Sequence, residues 1–491
     1  MRILFIVYDN GSKVSFFPFA QAYLAAICEK AGHEVEIWQQ DLHHWPDEKI
    51  TEFLDKKHFD VVGISVAGGY YQYNRLKGLT KGINESKDRP FLVVGGHMCT
   101  PEPDYFINKF NIDAIALGEG ERTIVDLMKA LENKTPLDDV LGIAFKRRSC
   151  PAWRASKEKQ KPSGDEIVHN CRQPLIQDLD EIPWPAYHLF PIQYYRLRSG
   201  DGGAYAGVEG NQFTLPMITS RGCTFTCAFC YRLDKGFRER ADENVIEEMK
   251  FLYKEYDITY ILFDDELTMN GTKKMMRFSE SFIKAGVGTS KLPVNWGCNG
   301  RLNFVTEELI VKMKEAGCCF INYGVESYDN QVLKLMTKAC TTKVIDRAIK
   351  ATLDGGISPG LNMLWNNEGD TAKTLKKDVD FLLKHDDFSQ VRTIRPTTPY
   401  PGSPLYFTAI NLGLLDKTNP VEDFYERKHV NSDLMTVNFM DMSDDDAYEL
   451  LKTANKTLLK NYHNHQWDKV EEDLVEVYNN KNTKFRGFRL V

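Results

Sequence analysis

Three cysteines lie close together in the sequence, Cys223, Cys227 and Cys230, and they form a C-x3-C-x2-C pattern. They follow an apolar run at residues 215–220 and precede a segment with helical character. Three thiolates on one short loop can converge on a single metal centre. Cysteine thiolates are the usual ligands of iron–sulfur clusters, which normally take four. A loop that supplies three leaves one iron open to a small molecule, as a catalytic zinc site keeps one position open.

A zinc site, a disulfide and simple burial account for the three cysteines less well. A closed zinc site needs a fourth ligand with its own spacing, and no second C-x2-C pair occurs in the sequence. A disulfide with one cysteine left over requires an oxidising compartment, of which the sequence gives no sign. Burial of free thiols is common, but it does not explain the strand, loop and helix that surround them. We therefore favour an open iron–sulfur cluster.

The cysteine pattern, with the aromatic Phe229 directly before the last cysteine, resembles the radical SAM superfamily. The resemblance implies a [4Fe–4S] cluster chelated by the amino and carboxylate groups of S-adenosylmethionine. Reductive cleavage of that molecule then gives methionine and a 5′-deoxyadenosyl radical, which abstracts hydrogen. The cofactor performs the difficult step, and the protein binds, orients and shields it. The resemblance also places Phe229 near the adenine.

Composition limits the class of protein. A chain of 491 residues is long enough for two or three domains, and 42% hydrophobic with 27% charged residues is ordinary for a globular protein. The net charge of −7 argues against a dominant nucleic-acid surface. The apolar start is too short for a signal peptide, and no apolar run reaches the roughly 18 residues of a membrane span. Eleven cysteines with a single cluster of them indicate a reducing cytoplasm.

Strands and helices alternate in residues 1–135. Predicted strands lie at residues 3–8, 34–39, 61–66, 91–94 and 114–117. Five such units predict an α/β fold with a doubly wound, Rossmann-like sheet, whose ligands bind beyond the carboxyl ends of the strands. Glycines stand at two of these ends, and glycine allows a ligand to approach the backbone closely.

The strand-end sequences Gly95-Gly96-His97 and 117–121 resemble the cobalamin-binding domain that precedes one large class of radical SAM enzymes. The resemblance implies a cobalamin site. Its expected contact residues are Ser65, Gly95, Gly96, Gly118 and Glu119. Many such domains carry D-x-H-x-x-G after the first strand, where the histidine ligates cobalt, but residues 9–12 contain no histidine. The alternative is a domain that has lost its ligand.

A connector at residues 136–212 leads to a second βα series at 213–412. The connector includes a polar loop at 147–164 and a glycine-rich loop at 199–210. Six strands are predicted in the second series, at residues 214–220, 260–263, 294–297, 319–323, 361–364 and 391–394. Six units rather than eight predict a partial (β/α)6 barrel, with its active site at the carboxyl ends of the strands.

Acidic residues stand at those carboxyl ends. Asp264 and Asp265 follow the second strand of the barrel, and either carboxylate suits the ammonium of S-adenosylmethionine. Glu326, in Gly-Val-Glu-Ser, resembles the position that contacts the ribose in the family. The alternative for each acid is a solvated strand end or a helix cap.

The last predicted strand carries Arg392 and Arg395. At most one of them faces the barrel if side chains alternate strictly, and an inward arginine suits a carboxylate, including that of the cofactor. After strand five, Trp365 and two asparagines replace a family turn and mark either the substrate pocket or ordinary core. The sequence Pro-Tyr-Pro-Gly-Ser-Pro-Leu-Tyr at 399–406 resembles the class again and is expected to close the barrel. Residues 413–491 are predicted to be mostly helical, to begin a long helix at Ser443, and to cover the barrel opening.

These observations favour a cobalamin-dependent radical SAM enzyme that methylates an unactivated carbon. A second hypothesis keeps the radical without methyl transfer, in an oxidative cyclisation or rearrangement, as in anaerobic magnesium-protoporphyrin monomethyl ester cyclase. A third is an iron–sulfur redox protein without turnover. We expect a small-molecule or natural-product substrate and an electron donor such as flavodoxin or ferredoxin, with no nucleic-acid partner.

Overall fold

A computed structural model describes residues 1–11, 16–147, 166–198, 212–233, 235–427 and 433–475. The chain folds into two compact units. The first comprises residues 1–196, 229–244 and 399–431, and the second comprises residues 197–228, 245–398 and 432–491. The predicted loop at 199–210, most of the predicted loop at 147–164, and the end of the predicted C-terminal region lie outside the described residues.

The first unit is built on a seven-stranded sheet in the order β2-β1-β3-β4-β5-β6-β7. Its strands are β1 Arg2–Val7, β2 Glu34–Gln39, β3 Val61–Ser65, β4 Phe91–Gly95, β5 Ala114–Ala116, β6 Ile143–Lys146 and β7 Ile167–His169. The first five strands are parallel, and β6 and β7 join them antiparallel. The central parallel strands β1, β3 and β4 read as apolar runs, as expected for strands covered by helices on both faces, whereas the edge strand β2 alternates charged and apolar residues. The order 2-1-3-4-5 is that of a doubly wound fold.

Helices pack on both faces of this sheet. They are α1 Phe19–Lys30, α2 Gln40–His43, α3 Lys49–Lys56, α4 Tyr70–Glu85, α5 Pro103–Phe110, α6 Gly120–Asn133 and α7 Ile192–Tyr195. One core cluster joins α1 and α6 to the sheet: it includes Ala25 of α1, Ile3 and Phe5 of β1, and Ile124 and Leu127 of α6, each at most 5% exposed. The carboxyl ends of the parallel strands are thereby fixed in position, because the strands that carry them are buried.

The second unit contains another seven-stranded sheet, in the order β16-β15-β14-β13-β12-β9-β8. Its strands are β8 Leu197–Arg198, β9 Phe213–Met217, β12 Tyr260–Phe263, β13 Asn295–Gly300, β14 Cys318–Glu326, β15 Ser358–Trp365 and β16 Ile394–Pro396. The six strands from β9 to β16 are parallel, and β8 pairs antiparallel at one edge. Two short strands lie outside this sheet, β10 Ser220–Arg221 in the second unit and β11 Arg238–Glu239 in the first. The predicted partial barrel of six parallel strands is confirmed.

Helices alternate with these strands and continue beyond them. They are α8 Asp242–Tyr256, α9 Thr272–Ala285, α10 Glu307–Glu315, α11 Asn330–Leu335, α12 Thr342–Asp354, α13 Ala372–Lys384, α14 Pro404–Asn411, α15 Pro420–Arg427 and α16 Asp444–Leu474. Among the described residues, no helix is long and apolar enough to span a membrane.

Helix α16 begins where the sequence predicts, because the Ser443 hydroxyl accepts the N–H of Asp446 at 3.1 Å. It packs against α13 and against β16, the edge strand of the second sheet. The Asn455 side chain accepts the N–H of Ile394 at 2.8 Å and donates to its carbonyl at 3.0 Å. The long helix therefore covers the edge of the sheet.

The structure differs from the sequence prediction in the connector and in the last barrel strand. The connector supplies β6 and β7, which extend the first sheet. The last barrel strand begins at Ile394 and not at 391, because residues 391–393 lie outside the ladder with β15. The proline-rich turn contacts the first unit: an added Cβ at Gly402 would lie 2.6 Å from the Tyr231 ring, and one at Gly68 would lie 3.2 Å from Tyr400. The expectation that this turn closes the barrel stays a prediction.

Candidate functional site

The three cysteines follow the first parallel strand of the second sheet. Gly222 has a φ of +84°, which glycine adopts without strain and which turns the chain out of β10. Cys223 is half-buried, Cys227 is buried and Cys230 is exposed. Cys223 and Cys227 belong to the second unit, whereas Phe229 and Cys230 belong to the first. The loop therefore begins in one unit and ends in the other.

Backbone hydrogen bonds hold the middle of the cysteine loop within the second unit. The N–H of Ala228 donates to the Met336 carbonyl at 2.9 Å. The Thr337 hydroxyl donates to the Thr226 carbonyl at 2.8 Å. Both partners lie just after α11, so the segment that follows β14 and α11 supports the loop that follows β9.

Asp265 and Asp264 have different surroundings at the end of β12. The Asp265 carboxylate accepts hydrogen bonds from the Thr219 N–H at 2.6 Å, the Thr219 hydroxyl at 2.5 Å and the Ser220 N–H at 2.9 Å. It therefore holds the chain that leads into the cysteine loop. Asp264 is open to solvent, and its carboxylate has no hydrogen-bond or ion-pair partner among the described residues. Partial desolvation by neighbouring protein atoms, together with the charge of Asp265, raises the pKa of Asp264 to about 6.

Glu326 is buried at the end of β14 in a left-handed conformation, with a φ of +69°. Its carboxylate accepts from the Lys338 ammonium at 2.8 Å, and both side chains are less than a tenth exposed. An added Cβ at Gly324 would lie 2.1 Å from the Glu326 carboxylate, so glycine is needed where this side chain folds back. Lys338 was not predicted from the sequence, because it stands twelve residues from Glu326 and belongs to no motif.

Arg392 was predicted wrongly as a cofactor ligand. Its guanidinium donates to the Pro359 carbonyl at 3.2 Å and pairs with Asp386 and Asp387. Pro359 lies at the amino end of β15, and the cysteine loop follows the carboxyl end of β9, which is parallel to β15 across the sheet. Arg392 is therefore at the opposite end of the strands, where it joins the loop after α13 to the sheet.

Arg395 lies on β16 and is exposed. Its guanidinium pairs with Asp433 at 3.2 Å, which leaves the side chain 58% exposed. By register it shares a sheet face with Leu364 on β15. Its place as a ligand of the cofactor carboxylate stays a prediction.

The residues after β15 support the fold. Trp365 is fully buried and donates from its indole N–H to the Thr371 carbonyl at 3.3 Å. The Asn366 amide donates to the Val437 carbonyl at 2.8 Å and accepts the N–H of Phe439 at 3.0 Å. Residues 437–439 of the C-terminal region therefore contact the carboxyl end of β15, and the expectation that this region covers the barrel opening stays a prediction.

Three asparagines form a hydrogen-bonded ladder across neighbouring strands of the second sheet. Asn362 on β15 donates to Asn322 on β14 at 2.9 Å, and Asn322 donates to Asn299 on β13 at 3.0 Å. Asn299 donates to the Asp265 carbonyl at 2.8 Å. A backbone carbonyl only accepts, so it fixes the orientation of all three amides. The amide oxygen of Asn362, which is exposed, is therefore the acceptor end of the ladder.

The predicted cobalamin residues lie at the carboxyl edge of the first sheet. Gly96 has a φ of +97°, and an added Cβ would lie 2.5 Å from the Val66 carbonyl oxygen and 3.2 Å from the Ser65 hydroxyl. Gly118 also has a positive φ, of +91°. The turn after β4 therefore requires glycine at position 96, whereas an added Cβ at Gly95 would make only an ordinary contact at 3.4 Å.

Glu119 is used within the first unit. Its carboxylate accepts from the Arg238 guanidinium at 2.8 Å and from the Ile176 N–H at 3.0 Å. Both charged side chains are less than a tenth exposed. Glu119 thus fastens residues 176 and 238 to the edge of the first sheet, and its contact with cobalamin stays a prediction.

Comparison with known proteins defines the class. Residues 217–382 match the radical SAM superfamily, and residues 12–128 match the B12 binding domain. The chain belongs to the radical SAM enzymes that carry a cobalamin-binding domain, which confirms the resemblance and the predicted α/β architecture. Its cofactors are accordingly a [4Fe–4S] cluster, S-adenosylmethionine and cobalamin.

The relatives refine this class. The chain is 30% identical over 451 residues to PH0819, an uncharacterized methyltransferase of Pyrococcus horikoshii, and the match covers 88% of this chain and 89% of that protein. It is 26% identical to the anaerobic magnesium-protoporphyrin IX monomethyl ester cyclase of Rubrivivax gelatinosus, over 83% of this chain and 69% of the cyclase. The radical S-adenosylmethionine methyltransferase TsrM from Kitasatospora setae shares the fold, with a TM-score of 0.63 at 18% identity, over 84% of this chain and 75% of that one.

The residues present fit the cofactors by their chemistry. Among the described residues, no three histidine, cysteine, aspartate or glutamate side chains form a preassembled metal site. The three thiols of the loop are nevertheless the donor set that an iron–sulfur cluster uses. The unpartnered carboxylate of Asp264 suits an ammonium.

Proposed function

We propose that this enzyme methylates an unactivated carbon of a small-molecule or natural-product substrate. When bound, the cluster and S-adenosylmethionine supply a hydrogen-abstracting 5′-deoxyadenosyl radical, and cobalamin supplies a methyl carrier. The observation that carries the proposal is the match with PH0819, which extends over nearly the whole of both chains and includes both cofactor domains.

We assign roles to the residues of the second unit on chemical grounds. Cys223, Cys227 and Cys230 hold the cluster. Asp264 accepts the ammonium of S-adenosylmethionine, because its carboxylate has no other partner among the described residues. The ion pair of Glu326 and Lys338 presents a carboxylate and an ammonium at the end of β14. The carboxylate suits the ribose diol, and the ammonium suits a carboxylate.

The asparagine ladder supports a polar substrate. Amides that donate along a chain polarise one another, so the terminal acceptor is strengthened. The exposed oxygen of Asn362 therefore offers a hydrogen-bond acceptor to a hydroxyl or amino group. The neighbouring residues Gly324 and Gly360 have no side chains that would cover the ladder. An added Cβ at Gly360 would lie 2.4 Å from the Asn322 amide oxygen.

The remaining partners are also proposals. A reducing compartment, the cytoplasm, suits a chain in which the described cysteines form no disulfides. A low-potential electron donor such as flavodoxin or ferredoxin would reduce the cluster. The net charge of −7 supports the expectation that nucleic acid is not a partner.

The proposed reaction is tested by measuring the products that the enzyme forms from S-adenosylmethionine. The protein is reconstituted without oxygen with iron, sulfide and hydroxocobalamin, and then reduced. A methyltransferase forms methylcobalamin and S-adenosylhomocysteine in addition to 5′-deoxyadenosine, whereas a cyclase or rearrangement enzyme forms 5′-deoxyadenosine alone. The second candidate stays relevant because of the match with the cyclase. Absence of S-adenosylhomocysteine from protein that holds cobalamin and forms 5′-deoxyadenosine would favour it.

A further inference from the structure

Arg301 lies beside a cluster cysteine, and the sequence analysis did not single it out. It directly follows β13, and one of its guanidinium nitrogens, Nη1, is 3.5 Å from the Cys227 sulfur. The guanidinium carbon stands 3.4 Å from the centre of the Phe225 ring, which belongs to the same cysteine loop. The other terminal nitrogen, Nη2, donates to the Lys338 carbonyl.

The charge of Arg301 has no counter-ion in the part of the chain that the structure describes. The residue is only 8% exposed, and it forms no ion pair with a carboxylate of the described residues. Its buried Nε has no hydrogen-bond partner there either. A buried charge is costly unless it is paired. Of the groups that contact Arg301, only the Cys227 sulfur becomes an anion, because the thiolate is the metal-binding form.

We propose that Arg301 is the counter-ion of the iron–sulfur cluster at Cys227 and raises its reduction potential. Hydrogen bonds to the sulfurs and the net charge around a cluster set that potential. One electron from an external low-potential donor enters the cluster, no bond breaks and no proton moves. The added electron makes the cluster more negative, so a fixed positive charge in contact with it stabilises the reduced form.

This role is independent of the reaction that follows. Reduction of the cluster precedes both methyl transfer and cyclisation, so the inference holds for either outcome of the test of function. A purely structural alternative exists, because Arg301 also joins the cysteine loop to the segment after α11 through Phe225 and Lys338. The two roles differ in a measurable way, since a clamp affects how much iron is bound and a counter-ion affects the potential.

The test is a redox titration of reconstituted protein without S-adenosylmethionine, followed by electron paramagnetic resonance. Arg301→Gln removes the charge and keeps a polar, though shorter, side chain. At the midpoint potential of the unaltered protein, we expect its ratio of reduced to oxidised cluster to fall about tenfold, which is about 59 mV for a one-electron couple. Arg301→Lys keeps the charge and is expected to lie between the two.

Lys312→Gln is the matched control. It removes one positive charge from the exposed face of α10, where Lys312 pairs with Glu315 at 2.9 Å. Solvent and salt screen such a charge, so the ratio should change by less than about twofold.

Iron content separates the outcomes. Arg301→Gln with full iron content and a ratio within about twofold of the unaltered protein, which by the same relation is a small potential shift, would overturn the proposal. Should Arg301→Gln hold little iron, Arg301→Lys decides. Iron retained by the lysine variant supports a requirement for charge, whereas loss of iron from both variants assigns Arg301 to a structural clamp and overturns it.

Discussion

Two adjacent carboxylates at the end of β12 illustrate how environment assigns different tasks to the same side chain. Both carboxylate oxygens of Asp265 accept hydrogen bonds from Thr219 and Ser220, which lead into the cysteine loop. Asp264 has no partner among the described residues. Its pKa is raised to about 6, so its carboxylate gains or loses its charge near that pH. The free carboxylate is therefore the one suited to a cationic ligand.

Binding of S-adenosylmethionine should depend on pH through Asp264. An acid with a raised pKa is ionised only above that value, so the carboxylate is available to an ammonium above about pH 6. One pH unit lower, only about a tenth of it is ionised, and the affinity should fall by up to about tenfold. Equilibrium dialysis at pH 5 and pH 7.5 measures this, and Asp264→Asn should bind weakly at both.

Asp265→Asn serves as the comparison for that prediction. It should lower the iron content, because it weakens the support of Thr219 and Ser220, and it should leave the pH dependence of binding in the remaining holoprotein. Unchanged affinity of the unaltered protein between the two pH values would remove Asp264 from the site.

At the scale of elements, α13 supports the end of β14 through a buried acid. The carboxylate of Asp378, a fully buried residue, accepts the N–H of Tyr328 at 2.6 Å, two residues after Glu326. Burial raises the pKa of Asp378 to about 8, with a contribution from the charges of Asp370 and Asp329. The acid is therefore mostly protonated at neutral pH.

Stability should fall with rising pH because of Asp378. Its folded pKa of about 8 exceeds the unfolded value of about 3.9, so the stabilisation is complete below about pH 4 and is lost as the pH rises through 8. Within that window each pH unit costs about 1.4 kcal/mol. Asp378→Asn mimics the protonated acid, and its thermal midpoint should decline less between pH 6 and pH 9.

Asp380→Asn is the control on the same helix. Asp380 is exposed and pairs with Lys376, so its removal should leave the pH profile of the unaltered protein. Identical slopes for the Asp378 variant and the unaltered protein would show that Asp378 does not titrate as described.

The strands were predictable because burial makes them apolar, but their ends were not. Predicted strands in both sheets coincide with observed ones to within a few residues. The last barrel strand was misplaced because Val391 and Arg392 alternate as a strand does, while two acids after α13 hold Arg392 at the other end of the sheet. Likewise Lys338 and Arg301 were not predicted as site residues, because contacts between distant segments leave no local sequence pattern.

At the scale of the whole molecule, the division into units departs from the order of the chain. Residues 229–244 and 399–431 leave the barrel sequence and pack with the first unit. The proline-rich turn and Tyr231 meet at Gly402, a contact that requires the fold of the first unit. From the sequence, residues 229–244 and 399–412 were assigned to the barrel, because they are neighbours of barrel strands in the chain, and residues 413–431 to the C-terminal region.

Loss of one cofactor should leave the other in place. Gly96→Ala puts a Cβ 2.5 Å from the Val66 carbonyl oxygen, so it should reduce cobalamin content while iron stays unchanged. Cys227→Ala should do the reverse and abolish 5′-deoxyadenosine. Iron and cobalamin counts per chain measure both, with the exposed Cys171→Ser as a control that keeps the fold and the iron. Normal 5′-deoxyadenosine formation by Cys227→Ala would contradict the cluster assignment.

The contact between Asn455 and Ile394 has a consequence for how the molecule behaves in solution. An open barrel leaves its final strand with unpaired amide and carbonyl groups, which are a template for another chain to join. One carboxamide occupies both groups of Ile394. Helix α16 thus shields the edge strand of the open barrel from pairing with another chain. A protein truncated before this helix would expose that edge and is expected to self-associate through it.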